Sequence, residues 1–475
     1  MAKSKWTQVG ELRHGVLGSP DAIAQSLALL ALTFAVSAAP ASAAASAGAA
    51  VPAAYVIAGI GSLCLASVIV RFTRRIAHAG GLYAYTVRGL GPQAGFIGGW
   101  MYAIGFALGI SFVLIISADF LSAVLTANTS IHLGWFPLYI ILLALLLLIA
   151  LADVRVSMRV QLVFALIGVL TIVVLSLVIV AKGGAHGLTW RPFDLNLAPS
   201  THGLFLAVIL AFTGYIGFEA AAVLGEEAAE PRRVIPRAIL GTVILATVYF
   251  VFTTWAQAIG YGVSGAGRWA ADPTALATLS DRYVGHWFGI LVDIVVVVDS
   301  FVAALAGVHL TARTLFAIGR DGGIPRIFAA TTPRFRSPYV GIGVSVALTL
   351  VLGATLGRHY GVLTYFALMA TTGSIGILFV YVLVCLAGMV FFWRARSAGG
   401  SYNWLLDIVL PLIAVAVCGY SIYASIFPRP PAPISYSLWI ALGCLVAGLL
   451  VVLGLVYTRP ERVRAFGQAF DASSH

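Results

Sequence analysis

Long apolar runs, separated by short polar and basic punctuation, set the rhythm of this chain. Twelve runs stand out, at about residues 21–48, 51–70, 94–125, 135–152, 159–181, 202–225, 236–261, 287–317, 338–357, 362–392, 403–426 and 434–457. Runs of about 18 residues or more reach across a hydrocarbon core of ~30 Å when helical. Inside lipid the backbone must satisfy itself, so runs of this kind are read as helices. The pattern therefore predicts an all-α integral membrane protein with twelve transmembrane helices.

Composition agrees. The 475 residues are 61% hydrophobic and only 9% charged, too few charges to coat a soluble globule of this length. The net charge of +11 would suit a nucleic-acid partner, but its distribution points elsewhere. Of the 28 Lys and Arg, only Lys182, Arg191, Arg268, Arg282, Arg358 and Arg429 fall on one set of alternate connections. The rest lie on the other set, which the positive-inside bias places in the cytoplasm with both termini. Such basic segments anchor helices beside an anionic leaflet. The plasma membrane is the expected location. Cys64, Cys385, Cys418 and Cys444 all lie in apolar runs without metal-like spacing, so plain packing is expected of them. Residues 1–20 and 458–475 read as short cytoplasmic tails with no room for an appended soluble domain.

The stretch LLALTFAVSAAPASAAASAG (29–48) ends like a secretory signal peptide. Its apolar region is longer than a signal core, and Lys3, Lys5 and Arg13 stand well before it, with Asp21 between. It is therefore read as a retained first span. Pro40 lies near the middle of that span. A mid-helix proline removes one backbone hydrogen bond and costs ~3 kcal/mol. In lipid the carbonyl it frees must find another partner. Small residues surround it: Ser37, Ala38, Ala39, Ala41 and Ser42. The sixth span, AFTGYIGFEAAAVLG (211–225), has Gly214 and Gly217 at its centre and Glu219 just beyond. Spans one and six open two sets of five. Interruptions at matching positions of two such halves point to a transporter's binding site. Half-helix N-termini suit a carboxylate, and freed carbonyls suit an ammonium group.

Three longer segments carry a resemblance. They read AGGLYAYTVRGLGPQAGFIGGW (79–100), GFEAAAVLGEEAAEPRRVIPRAI (217–239) and ARTLFAIGRDGGIPRIFAATTPRFRSPYV (312–340). Together they resemble the amino acid–polyamine–organocation superfamily across spans two to nine. The resemblance implies a LeuT-like five-plus-five inverted repeat in residues 21–392, repeat one at about 21–181 and repeat two at about 202–392, followed by two further helices in 403–457. It implies secondary transport of amino acids or related amines. By position it implies a substrate cradle of Ser37, Ala38, Ala39, Pro40, Ala41 and Ser42 with Phe212, Thr213, Gly214, Tyr215 and Gly217. The family's Gly-rich first break is Ser-Ala-Ala-Pro-Ala-Ser here. A span-five lysine of proton-coupled members, in a pattern like RVNxxxxLIK, is Gly168 in RVQLVFALIG.

The motif residues also have direct physical readings. Gly80, Gly81, Gly89, Gly91 and Pro92 suit a tight re-entry between spans two and three, with Tyr83, Tyr85 and Trp100 as interfacial anchors. Pro236 suits the first turn of span seven. Glu226 and Glu227, followed by Arg232 and Arg233, suit ion pairs that close a cytoplasmic gate. Arg320 and Asp321 suit a charge pair at the end of span eight. Acids at membrane depth are expensive and default to paired or functional roles. Counted from Trp287, Asp293 lies ~9 Å and Asp299 ~18 Å along span eight. The two point to different faces. Asp299, Glu219 and Asp293 are the candidates for coupling to H+ or Na+. His309 reads as a hydrogen-bonded packing residue.

The reading that results is a permease for amino acids, with a cationic amine or polyamine as the alternative substrate. No H-E-x-x-H, no G-x-S-x-G and no convergent catalytic pair appears, so an enzyme is not expected. Nor is a cofactor, a metal or a nucleic-acid partner. The partners are a small solute, the bilayer and a coupling ion.

Overall fold

Ala31 divides the first span. It takes left-handed backbone angles, φ 47° and ψ 56°, between α1 (Ser19–Leu30) and α2 (Leu32–Ala47). A residue with a Cβ is strained there, at roughly 1–2 kcal/mol, so surrounding bonds must hold it. The expected break at Ser37 to Ser42 is thus displaced by about two turns. Residues 37–42 lie within continuous helix, Pro40 included. The reason is visible at Val36: its carbonyl, which Pro40 cannot serve, accepts from Gln257 Nε2 at 3.1 Å.

The computed structural model describes residues 11–152, 154–272, 274–397, 402–458 and 460–461, with the side chains of residues 38, 155, 156 and 397 set aside. Lys3, Lys5, the segment beyond residue 461 and the side chain of Ala38 therefore lie outside the described residues. From Gly48 to Ala50 a 3-10 turn leads into α3 (Val51–Thr73). There follow α4 (Leu82–Leu90), α5 (Pro92–Asn128), α6 (Trp135–Leu151), α7 (Val154–Ala181) and α8 (Thr201–Thr213). The second half continues with α9 (Pro231–Tyr261), short α10 (Ala266–Ala270), α11 (Ala275–Tyr283) and α12 (His286–Arg320). Next come α13 (Tyr339–Leu352), which runs through a π turn into α14 (Arg358–Tyr360), then α15 (Val362–Ser397), α16 (Leu410–Ile426) and α17 (Ser437–Thr458). Among the described residues, ten segments are long and apolar enough to cross a membrane, and Trp135–Leu151 and Thr201–Thr213 are shorter apolar helices. The fold is all-helical.

α3 packs on α9, and α5 packs along α12. The broken first span lies against both α8 and the 3-10 turn Ala220–Leu224 that follows it. α16 and α17 sit outside this centre, against α3, α5 and α15. Within its apolar window α17 is 17% buried where α12 is 72% buried, so α17 presents most of its surface outward.

Three local expectations change. The glycine-rich link between spans two and three holds a short helix, α4, between Gly81 and Gly91. Tyr83 and Tyr85 on it are fully buried rather than interfacial: Tyr83 donates to Asp321, and Tyr85 stacks on Phe72 at 5.1 Å. Trp100 packs on Gly448 and donates to the Cys444 carbonyl at 2.9 Å, joining α5 to α17. Pro236 is inside α9, whose first residue is Pro231.

Candidate functional site

The two breaks face each other. Gly217, at φ 107°, lies so close to α1 that a Cβ there would meet Leu29 Cγ at 2.9 Å. One turn further, Ala221 N–H donates to Ser26 Oγ at 3.0 Å. α1 therefore ends against the bend of span six, and only a glycine fits between them.

Break one is capped from a distant helix. Asp299 on α12 accepts the N–H groups of Thr33 at 2.9 Å and Phe34 at 3.0 Å, both through Oδ2. These are orphan donors of the first turn of α2, and the carboxylate also meets the positive end of that helix. On the other side Ala31 N–H closes α1 by donating to Ala28 at 3.1 Å. Asp299 is 1% exposed.

Break two tightens rather than opens. After α8 the backbone steps through short turns: Gly214, Tyr215 and Ile216 donate to Ala211, Phe212 and Thr213 at 3.0–3.1 Å. Thr213 Oγ1 donates to the Leu210 carbonyl at 2.8 Å. Of the carbonyls expected to stand free for an ammonium group, those of Phe212, Thr213, Tyr215 and Gly217 thus accept a backbone bond already. Glu219, fully buried, accepts from Tyr102 of α5 at 2.9 Å and Tyr381 of α15 at 2.7 Å, and from Gly217 N–H at 3.2 Å. It ties span six to α5 and α15.

The other cradle residues are spread around these breaks. Ser37 Oγ folds back on the Phe34 carbonyl at 2.8 Å; Ala39 is half-buried, Pro40 and Ala41 are buried, and Ser42 is exposed. Phe212 reaches α3 beside Gly61. Tyr215 meets Phe250 edge-on at 5.1 Å and points its hydroxyl at the Tyr55 carbonyl. The three coupling acids are not gathered. Asp299 caps α2, Glu219 sits between tyrosines, and Asp293 is half-buried near Asp281 and His286 at the start of α12.

At the end of the molecule rich in arginine, the acids Glu226 and Glu227 do close a junction, but with other partners. Arg313 grips Glu227 through two nitrogens, at 2.5 and 3.1 Å, with both side chains buried. Arg320 holds Glu226 at 2.8 and 2.7 Å. The segment before α1 is pinned across them: Val16 and Leu17 donate to the Glu227 carbonyl, and Ala229 donates to Leu17. Arg232 is exposed, and Arg233 pairs, among the described residues, with exposed Glu230 one turn away. Arg320 and Asp321 part company too, Asp321 taking the Tyr83 hydroxyl at 2.8 Å. Burial alone would raise the Glu226 carboxyl, yet the Arg320 guanidinium, the His78 ring and the Ala79 N–H together outweigh it and hold the group at about 2. Burial lowers His78 to about 3. Its Nδ1 accepts from the Gly80 N–H at 2.9 Å, while Nε2 lies 2.6 Å from Arg320 and 3.7 Å from the Glu226 carboxylate. Burial lifts Asp321 to about 6.

A family model described as amino acid permease matches residues 22–451. The chain belongs to this family. Among curated relatives, the permease is 24% identical over 432 residues to the branched-chain amino acid permease BcaP of Bacillus subtilis, covering 88% of this chain and 87% of that one. It is 23% identical to the methylthioribose transporter of Bacillus subtilis, over 82% of this chain and 84% of that one. It is 27% identical to the low-affinity putrescine importer PlaP of Escherichia coli, over 63% and 66% of the two chains. The permease is thus a multi-pass membrane transporter for a small molecule, not an enzyme. Among the described residues no group of three His, Cys, Asp or Glu is placed to hold a metal.

Several of its site residues escaped sequence reasoning. Thr33, Tyr249 and Gln257 gave no signal, being ordinary residues within apolar helices. Arg313 was visible as a cation at the end of span eight, and an apolar run that carries an arginine asks for an acid partner.

Proposed function

We propose that this permease is a secondary active transporter that moves amino acids or related small amines across the plasma membrane by alternating access. Its arginine-rich end and both termini face the cytoplasm, and that end is closed in the conformation described. The observation that carries the reading is the pair of breaks at Ala31 and Gly217, one in each half, which meet where Leu29 abuts Gly217, with the buried carboxylate of Asp299 capping the half-helix α2. Half-buried Ser37, Ala39, Thr213 and Gly214 stand where α2 packs on α8 and would line the path. The Glu226–Arg320 and Glu227–Arg313 pairs would part when the inner side opens. A coupled H+ or Na+ supplies the drive. The curated relatives named above include carriers of a branched-chain amino acid and of putrescine.

Counterflow in proteoliposomes tests this. Vesicles preloaded with unlabelled leucine or putrescine should accumulate the labelled compound transiently and with saturation. Flux that grows linearly with concentration and ignores the preload would indicate a pore instead.

A second reading, an amine or polyamine carrier, is favoured by one feature: the bare amides of α2 that would seat a substrate carboxylate already hold Asp299.

A further inference from the structure

The start of a half-helix favours an anion, because unsatisfied N–H groups and the helix dipole point at it. In this chain that seat is filled from within by Asp299. The side chains around the seat are unusual in a second way. Thr33 Oγ1 and Tyr249 Oη lie beside the carboxylate, are at most 4% exposed, and make no hydrogen bond of acceptable geometry. One turn along α2, buried Gln257 spends its Nε2 on Val36 and leaves Oε1 unpartnered. Each of these atoms is an oxygen. Leaving a buried polar atom unbonded is unfavourable, and the seam recovers that loss when a ligand brings donors.

We propose that Asp299, Thr33 and Tyr249 recognise the ammonium head of a primary amine, and that the transported solute needs no carboxylate. The inference rests on the permease reading above and narrows its substrate class. An ammonium group offers three N–H donors, matching the second oxygen of Asp299 and the two hydroxyls. A carboxylate would bring a second negative charge against Asp299 in a poorly polarisable setting. Among the described residues no Lys or Arg pairs with Asp299 to offset it: the span-five position that carries lysine in the resemblance is Gly168, where a Cβ would meet Thr33 Oγ1 at 2.5 Å. The substrate supplies the cation that the chain omits. Phe34, whose amide binds Asp299, also stands edge-on to Phe366 at 6.0 Å and near Phe120 at 6.5 Å, and phenyl faces favour an organic cation.

The test uses matched probes on the purified full chain: leucine, 3-methylbutylamine and 4-methylpentanoate, and ornithine, putrescine and 5-aminopentanoate. Calorimetry should detect binding of at least one of the two decarboxylated amines and none of 4-methylpentanoate. Asp299→Asn should weaken that amine about a hundredfold. Tyr249→Phe removes a hydroxyl that makes no well-aligned hydrogen bond to the described residues, so it should weaken the amine about tenfold and leave the thermal midpoint unchanged. That second variant keeps the test sound should Asp299→Asn misfold. Absence of binding by both amines overturns the proposal, as does equal binding by 4-methylpentanoate or amine affinity indifferent to both substitutions. Counterflow with the same probes separates the two levels. Exchange of leucine or ornithine without amine binding sinks the ammonium site and spares the permease reading; exchange of no probe sinks both.

Discussion

Gln257 stands in for the hydrogen that Pro40 lacks. Its side-chain amide donates to the Val36 carbonyl, four residues before the proline, and keeps α2 helical through the position where a break was expected. Gln257→Leu should therefore cost about 1–3 kcal/mol, the loss of a buried acceptor's partner. In a Pro40→Ala background the helical N–H returns to Val36, and the same substitution should cost distinctly less. A double-mutant cycle on thermal midpoints of the purified protein measures this coupling. Equal costs in both backgrounds would remove Gln257 from this role.

The Arg313–Glu227 pair is buried at both ends, so halves of it are worse than none. Arg313→Met or Glu227→Gln should each destabilise by roughly 3–5 kcal/mol, since either leaves a buried charge alone. Replacing both by apolar residues should recover most of that loss. The pair also holds the chain before α1 across the arginine-rich end, where Leu17 is buried. A cysteine placed at Leu17 should react with a water-soluble maleimide faster in either single variant than in the parent. Unchanged labelling would mean that the pair does not keep this end shut.

Acid should loosen the same junction through His78. Its folded-state value is lowered to about 3 from an ordinary 6.5, so the stability it contributes is complete above pH 6.5 and is lost as pH falls from there toward 3. Each unit of pH in that window removes at most ~1.4 kcal/mol. Asp321 acts in the opposite sense. Its carboxyl is raised to about 6 from 3.8, so protonation between those values favours the folded state. Glu226, held at about 2, adds its loss only below pH 4.5. Between pH 7.5 and 5 the His78 loss exceeds the Asp321 gain, so the thermal midpoint should fall slightly, and His78→Gln should turn that fall into a rise because Asp321 then acts unopposed. A fall of the same size in the variant would exclude His78 as its source.

The all-helical membrane class was legible because lipid exposure forces long apolar runs, and the bend of span six was legible because Gly214 and Gly217 mark it, although α8 ends at Thr213, well short of the run that ends near residue 225. The break in span one was not. Pro40 is a strong local signal, but the backbone turns at Ala31, where nothing in the local sequence asks for it. What stabilises the turn is Asp299, 266 residues beyond Thr33. The arginine-rich junction shows the same limit. Arg232 and Arg233 lie nearest to Glu226 and Glu227 in sequence, yet the fold brings Arg313 and Arg320 from the end of α12. Short α4 was hidden because it is brief and flanked by glycines. Asp293 and Asp299 were already separated by depth and face, but that Asp299 caps a distant half-helix is visible only in the packing.

Glu219 offers the sharpest contrast with Asp299. Tyr102, Tyr381 and the Gly217 amide between them bond both of its oxygens, which leaves no demand for a ligand. We expect it to act as a buried tie between α5, α15 and the bend of span six rather than as the coupling acid. Tyr102→Phe and Tyr381→Phe should each lower stability by about 1.5–3 kcal/mol, the range for a hydrogen bond to a charged group. The double variant should lose more than the sum, because the second substitution strips the carboxylate of its last side-chain donor. Substrate affinity and the pH profile of uptake should stay as in the parent for either single variant that folds. A shifted pH profile with an unchanged thermal midpoint would reverse the assignment and make Glu219 a proton-carrying group.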